Sequence, residues 1–191
     1  MNSNVTTEQI VKNHDQFLKR GFGKSLRAQH TSGLQSFLQR GFPTAGDEDW
    51  KYSNLNKVKE YLSFANPGGD AAVANIEKQV AEALKELKVQ ENYVVLFNGV
   101  YCHGLSRPAD GVKLEAVPVR EKSYLTDLNS AFLTESLVVN FESNQQYPMT
   151  ILHFVGEGLS VSTRLNLAVS EHVKAQVNEV EIGRASCRER V

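Results

Sequence analysis

Metal ligation is the first chemistry that the residue types suggest, because Cys102 is followed directly by His103. Neighbouring side chains of a β-strand point to opposite faces, so one ion could be shared only at a bulge or turn. His153 lies in an apolar β-rich run, where an interior histidine is the commoner outcome. His14 and His30 lie in helical stretches without a partner at metal-ligand spacing. We therefore expect no metal site from these residues.

Phosphate binding is the second possibility, because Gly21 to Ser25 read GFGKS and superficially resemble the end of a phosphate-binding loop. That loop requires a further glycine at the position occupied here by Leu18. The segment also follows a helical pattern, so we expect a turn that ends the helix. The second glycine pair, GEG at Gly156 to Gly158, lacks a third glycine and predicts a turn between strands.

Catalytic groupings do not stand out in the sequence. No serine, histidine and aspartate set and no carboxylate pair suggests nucleophilic or acid–base work. A triad is recognised from geometry and not from chain order, so the sequence leaves this point open. The carboxylates of the β-rich part are scattered: Glu115, Glu121, Asp127, Glu135, Glu142 and Glu157.

Composition limits the classes of partner. The 191 residues include 21 Lys and Arg against 22 Asp and Glu, and 41% are hydrophobic. A net charge of −1 gives no electrostatic reason to expect nucleic acid or a membrane surface as a partner. The N-terminus lacks the apolar stretch of a secretory signal, and two cysteines far apart make no disulfide framework. We expect a cytoplasmic protein in a reducing compartment.

The elements that must position these side chains change near the middle of the chain. Up to about residue 90 the apolar residues recur at helical spacing. The capping-box pair Thr6 and Gln9 precedes the first helix, the second helix ends at Gly41, and the third begins near Asp70. These patterns predict an N-terminal helical region.

From Tyr93 onward, short β-rich runs are separated by turn signals such as NG, DG and GEG. The absence of a further helical pattern after about Phe132 argues against a doubly wound parallel sheet. An antiparallel sandwich and a β-solenoid both fit this pattern. Periodicity alone does not choose between them.

The most distinctive segment is FPTAGDEDWKYSNL, Phe42 to Leu55, which holds the single tryptophan of the chain. Trp and Tyr bury large areas and still need a polar partner, which suits a place where two elements meet. One interpretation is an anchor that fixes the loop on the helical region. The other is a surface that contacts a partner.

This segment resembles a known family signature. The pattern P-T-x-x-x-E-x-W-K-Y-x-x-L is similar to the N-terminal signature of the SufD family, a component of the SufBCD complex for iron–sulfur cluster assembly. Residues 92–119 and 151–180 resemble the stretches that follow it in that family. The signature is filled here by Pro43, Thr44, Glu48, Trp50, Lys51, Tyr52 and Leu55.

One departure from the family pattern is visible. Family members often carry basic residues just after the proline and threonine, whereas this chain has Ala45, Gly46 and Asp47. The departure argues against an anion-binding role for the loop.

The resemblance implies an α+β fold. Residues 1–90 would form an N-terminal helical region, and residues 91–181 the first coils of a right-handed parallel β-helix. It also implies a non-catalytic scaffold subunit that pairs with SufB and works with the SufC ATPase. The family complex handles an iron–sulfur cluster, but we expect no cofactor to be bound by this chain.

The end of the chain is expected to be foreign. EIGRASCRERV resembles the translation of a common sequencing adapter, so residues 182–191 are expected to be a non-native tail. Residues 1–181 would then be an N-terminal fragment that lacks the SufC-docking domain. A solenoid cut after a few coils exposes an apolar cross-section, so we expect the isolated chain to aggregate and not to bind SufC.

Two other hypotheses remain from the sequence. One is a carbohydrate-active β-helix enzyme with a helical N-terminal extension, which would need clustered carboxylates on one face. The other is an interaction module that acts through the helical region alone.

Overall fold

The structure is a computed structural model of the chain. The residues that it describes fold as an α+β protein, and no helix among them is long and apolar enough to cross a membrane. The described residues are 6–19, 26–44, 46–48, 51–52, 76–116, 124–156 and 159–183.

The described residues contain four α-helices, seven β-strands and a short 3-10 helix at His103–Leu105. The α-helices are α1 (Thr7–Lys19), α2 (Arg27–Arg40), α3 (Ile76–Leu87) and α4 (Tyr124–Ala131). The strands are β1 (Tyr93–Phe97), β2 (Val100–Tyr101), β3 (Val112–Ala116), β4 (Leu133–Phe141), β5 (Met149–Val155), β6 (Ser162–Val169) and β7 (Val177–Gly183).

The chain divides into two compact units made of interleaved segments. The first unit comprises residues 1–66, 118–134 and 158–162, and the second comprises residues 67–117, 135–157 and 163–191. The first therefore contains α1, α2 and α4. The helix α3 belongs with the strands of the second unit, although its sequence continues the N-terminal helical pattern.

The first unit is a small helical core. Its N-terminal cap is as predicted, because the Gln9 N–H donates to Thr6 Oγ1 at 3.2 Å. The predicted end of α2 is also confirmed, since Gly41 has a φ of 73° and its N–H donates to the Phe37 carbonyl. The buried apolar side chains come from all three helices and the residue that follows α4: Ile10, Phe17, Phe37, Leu128, Ala131 and Phe132.

The second unit contains two sheets. In the first sheet the strand order is β2-β1-β5-β7; β1 pairs antiparallel with β2, whereas β1, β5 and β7 run parallel. In the second sheet the order is β3-β4-β6, with β3 and β4 antiparallel. Alternate residues of β1 and β5 pack against β4 on one face, and the others pack against α3 on the opposite face. A parallel strand with both faces covered is apolar throughout, which explains the continuous run YVVLF.

The predicted first coils of a right-handed parallel β-helix are wrong for the described residues. A coil would carry β1 forward to a strand on a new face of a solenoid. Instead, Asn98 and Gly99 both have positive φ and form a tight turn that folds β2 back onto β1. The helix α3 then covers one face of the resulting mixed sheet. The expected tail begins within β7, whose last two residues are Ile182 and Gly183.

The packing of α2 on α4 depends on the missing side chain of Gly33. A Cβ atom added at Gly33 would lie 2.8 Å from both the Ala131 nitrogen and the Asp127 carbonyl oxygen of α4. Real Cβ atoms do not approach backbone atoms this closely, so any larger residue would push α2 and α4 apart.

We predict that Gly33→Ala destabilises the chain. An alanine inside a helix ordinarily stabilises it by about 1 kcal/mol relative to glycine. Here the clash with the α4 backbone should reverse the sign and cost about 1–3 kcal/mol, as overpacking does. Urea unfolding followed by circular dichroism measures the change.

Gly104→Ala is the matched control, because a Cβ at Gly104 has no atom within 4 Å. Its stability should stay within about 0.5 kcal/mol of the parent chain. A Gly33→Ala chain more stable than the parent would contradict the close approach of α2 and α4.

Candidate functional site

The loop after α2 begins the segment Phe42 to Leu55 that resembles the SufD signature, called here the signature loop, and the start of this loop is closed by its own side chains. The Asp47 carboxylate accepts hydrogen bonds from the Thr44 N–H at 2.6 Å and from the Thr44 hydroxyl at 3.0 Å. Pro43 is buried, and the neighbouring Phe42 ring lies edge-on to Phe37 with centroids 5.0 Å apart. The acidic residue that departs from the family pattern is therefore an internal acceptor that shapes the loop.

The second half of the signature includes an exposed aromatic and basic pair. The Tyr52 side chain is 93% exposed, and the Lys51 ammonium lies 5.6 Å from the centroid of its ring. Glu48 is exposed, and its carbonyl accepts the Lys51 N–H at 3.4 Å. Trp50 and Leu55 lie outside the described residues. The Tyr52 ring is therefore not an anchor buried among the described residues.

Cys102 and His103 lie in different environments, although they are adjacent in the sequence. Cys102 is half-buried and its thiol lies 3.6 Å from the Val100 carbonyl oxygen, whereas His103 is exposed at the start of the 3-10 helix. Burial raises the pKa of the Cys102 thiol, which favours its protonated form at neutral pH. Within the ranges that the structure describes, no group of three or more His, Cys, Asp or Glu residues could hold a metal ion.

His14, His30 and His153 are interior, as predicted for His153, whereas His172 is exposed. His153 is 9% exposed and its Nε2 lies 2.7 Å from a carboxylate oxygen of Glu179 on β7. His14 and His30 are buried in the first unit. The sequence pattern had assigned them no role.

The described carboxylates of the β-rich part, which the sequence shows to be scattered, have different neighbours in the structure. Glu135 accepts the Tyr101 N–H at 2.6 Å, and Asp127 lies 3.6 Å from an arginine of α2. Glu142 accepts a hydrogen bond from Lys113 at 2.7 Å, which raises the pKa of that ammonium group. Glu115 is exposed on β3, whereas Glu121, Glu157 and the segment Gly21 to Ser25 lie outside the described residues. Glu135, Asp127 and Glu142 thus each contact a different partner.

Two buried asparagines are structural residues that the sequence analysis missed. The Asn92 side chain donates to the Tyr147 carbonyl at 2.9 Å and accepts the Ala109 N–H at 3.1 Å. The Asn98 side chain accepts the Gly156 N–H at 2.8 Å. Both residues have positive φ, 58° and 48°, which asparagine tolerates better than most residues. An asparagine directly before or after an apolar run was the available signal.

Asn92 fixes the loop beside an open polar cleft. The cleft has a volume of about 340 Å³ and lies at the start of the parallel strands β1, β5 and β7. Its polar groups belong mostly to exposed side chains, which assign it no particular ligand. They include Lys88, Gln90, Glu91, Gln146, Tyr147 and Asn178.

The chain matches no model of a protein family and none of the curated proteins with which it was compared. Function must therefore be inferred from the sequence signature and from the geometry of the described residues.

We predict that Asn92→Ala lowers the free energy of unfolding by about 1–3 kcal/mol, because it removes the partner of two partly buried groups, the Ala109 N–H and the Tyr147 carbonyl. The positive φ at this position adds to the cost for alanine. Urea unfolding measures the loss.

Asn178→Ala is the control on the same cleft, since Asn178 is exposed on β7. It should change the stability by less than about 0.5 kcal/mol. Equal losses in the two variants would contradict the structural role of Asn92.

Proposed function

We propose that this chain is part of a SufD-like, non-catalytic subunit of an iron–sulfur cluster assembly scaffold. In this function it pairs with a SufB subunit and works with the SufC ATPase. The observation that carries the proposal is the signature loop, which presents Lys51 and Tyr52 to solvent. The resemblance of this loop to the SufD signature supplies the identity of the partner.

The start of the loop is held by contacts of its own, which favours binding. The hydrogen bonds from Thr44 to Asp47 and the burial of Pro43 hold the start of the loop. A held loop loses less conformational entropy on binding than a free one. Tyrosine is enriched among the residues that dominate protein–protein binding energy, and its large ring needs few rotamers to be fixed.

The cluster is the cargo of the assembled complex in this proposal. No ligand of iron is assigned to this chain. Cys102 has a protonated, half-buried thiol, so it is not proposed as a ligand.

Co-purification tests the proposal. The 191-residue chain is co-expressed with tagged SufB and, separately, with tagged SufC from one complete SUF system. We predict that SufB retains the chain and that SufC alone does not. The double variant Lys51→Ala, Tyr52→Ala should weaken retention by SufB about tenfold, the effect of losing one energetically important interface residue.

Tyr147→Ala is the matched control, because Tyr147 is also an exposed tyrosine, at 52%, but lies in the second unit. It should leave retention unchanged, and circular dichroism should show that all variants keep the helical content of the parent. A folded chain that SufB does not retain, or an equal loss in the Tyr147→Ala variant, would contradict the proposal.

A further inference from the structure

Two histidines occupy the core of the first unit. His14 on α1 is 3% exposed and His30 on α2 is fully buried. His30 Nε2 donates to the Leu133 carbonyl at 2.8 Å, which assigns the proton of a neutral ring to that nitrogen. Neither His30 Nδ1 nor His14 Nε2 has a hydrogen-bond partner among the described residues. Each ring thus has one buried nitrogen without a partner in the part of the chain that the structure describes.

The surroundings of both rings are aromatic. The Phe17 ring lies edge-on to His30 with centroids 5.1 Å apart, and Phe132 lies edge-on to His14 at 5.7 Å. Phe17 also contacts Phe132 at 5.7 Å, so the four rings form one cluster. An uncharged imidazole packs well in such a cluster, whereas an imidazolium would lose its hydration.

The charged groups around the two histidines do not balance the positive charge that a second proton would add to either ring. A backbone hydrogen bond at His30 and, more weakly, Asp15 on α1 favour protonation of His14, but Arg27 on α2 opposes protonation of His30. The one carboxylate of α4, Asp127, already lies 3.6 Å from Arg40. At the start of β4 the contact to His30 is an uncharged carbonyl oxygen.

Burial is the largest influence on both rings and lowers the pKa of each below the ordinary histidine value. The unfolded chain therefore binds more protons than the folded unit at mildly acidic pH. The stability that the neutral pair provides is complete above about pH 6.5 and is lost as the pH falls from there through the lowered values. Protonation of one ring also disfavours protonation of the other, because His14 and His30 interact electrostatically.

We propose that His14 and His30 form a proton-operated switch that opens the first unit in mildly acidic solution. Proton uptake by the pair releases α1 from α2 and α4 and exposes the apolar face that α1 otherwise buries, Ile10 and Phe17. In the second unit, the buried His153 has different surroundings, because its Nε2 lies 2.7 Å from a carboxylate oxygen of Glu179.

Hydrogen–deuterium exchange tests the switch. The chain is measured at pH 7.5 and pH 5.5, with rates corrected for the intrinsic effect of pH on exchange. At pH 5.5 most carboxylates remain ionised, since their ordinary pKa values are near 4, so the histidines are the main groups that titrate. Amides of α1, α2 and α4 should lose at least tenfold in protection, whereas amides of β1 and β5 should change less than twofold.

A double variant removes the two groups that take up protons. His14→Asn, His30→Gln keeps an amide nitrogen near each donor position but cannot become charged in this range. Its protection in the first unit should be the same at both pH values. His172→Asn is the control, because His172 has a side chain that is 90% exposed, and it should keep the parent response.

Histidine NMR of the parent chain covers the case in which the double variant fails to fold. The ring signals of His14 and His30 should remain those of neutral imidazole until the helical amides lose protection. Rings that titrate at the ordinary histidine value with protection unchanged would overturn the switch. Equal losses of protection in both units would overturn it too.

Discussion

The close contact of α2 with α4 at Gly33 is the constraint on which the first unit depends. It sets the distance between the two helices, and the chain runs directly from α4 into Leu133, whose carbonyl binds His30. The same helix α2 ends at Gly41 and leads into the signature loop. The absence of a side chain at Gly33 therefore permits the helix packing that positions both the histidine cluster and the start of the signature loop.

The second unit depends on its parallel strands. Because β1 and β5 are covered on both faces, they need apolar side chains at nearly every position. Polar side chains lie at the strand ends instead. There, Asn92 and Asn98 form hydrogen bonds with backbone groups of neighbouring loops. These asparagines are structural, and they leave the signature loop as the feature with the clearest functional geometry.

Local signals in the sequence predicted local structure well. The Thr6 cap, the end of α2 at Gly41 and the run β1 follow from capping, glycine and apolar patterns that act over a few residues. The β-helix was wrong because strand pairing is set by long-range contacts that such patterns do not encode. The Asn98 turn sends β2 back along β1, and the close approach at Gly33 appears only when α2 meets α4. The exposure of Tyr52 likewise required the structure.

The central claim is that the exposed pair Lys51 and Tyr52 contacts a SufB-type partner. Hydroxyl-radical footprinting of the chain, alone and with purified SufB, tests it most directly because it reports on single side chains. The proposal predicts that SufB slows the oxidation of Tyr52 several-fold and leaves Tyr147 unchanged. Oxidation of Tyr52 at the same rate with saturating SufB would contradict it.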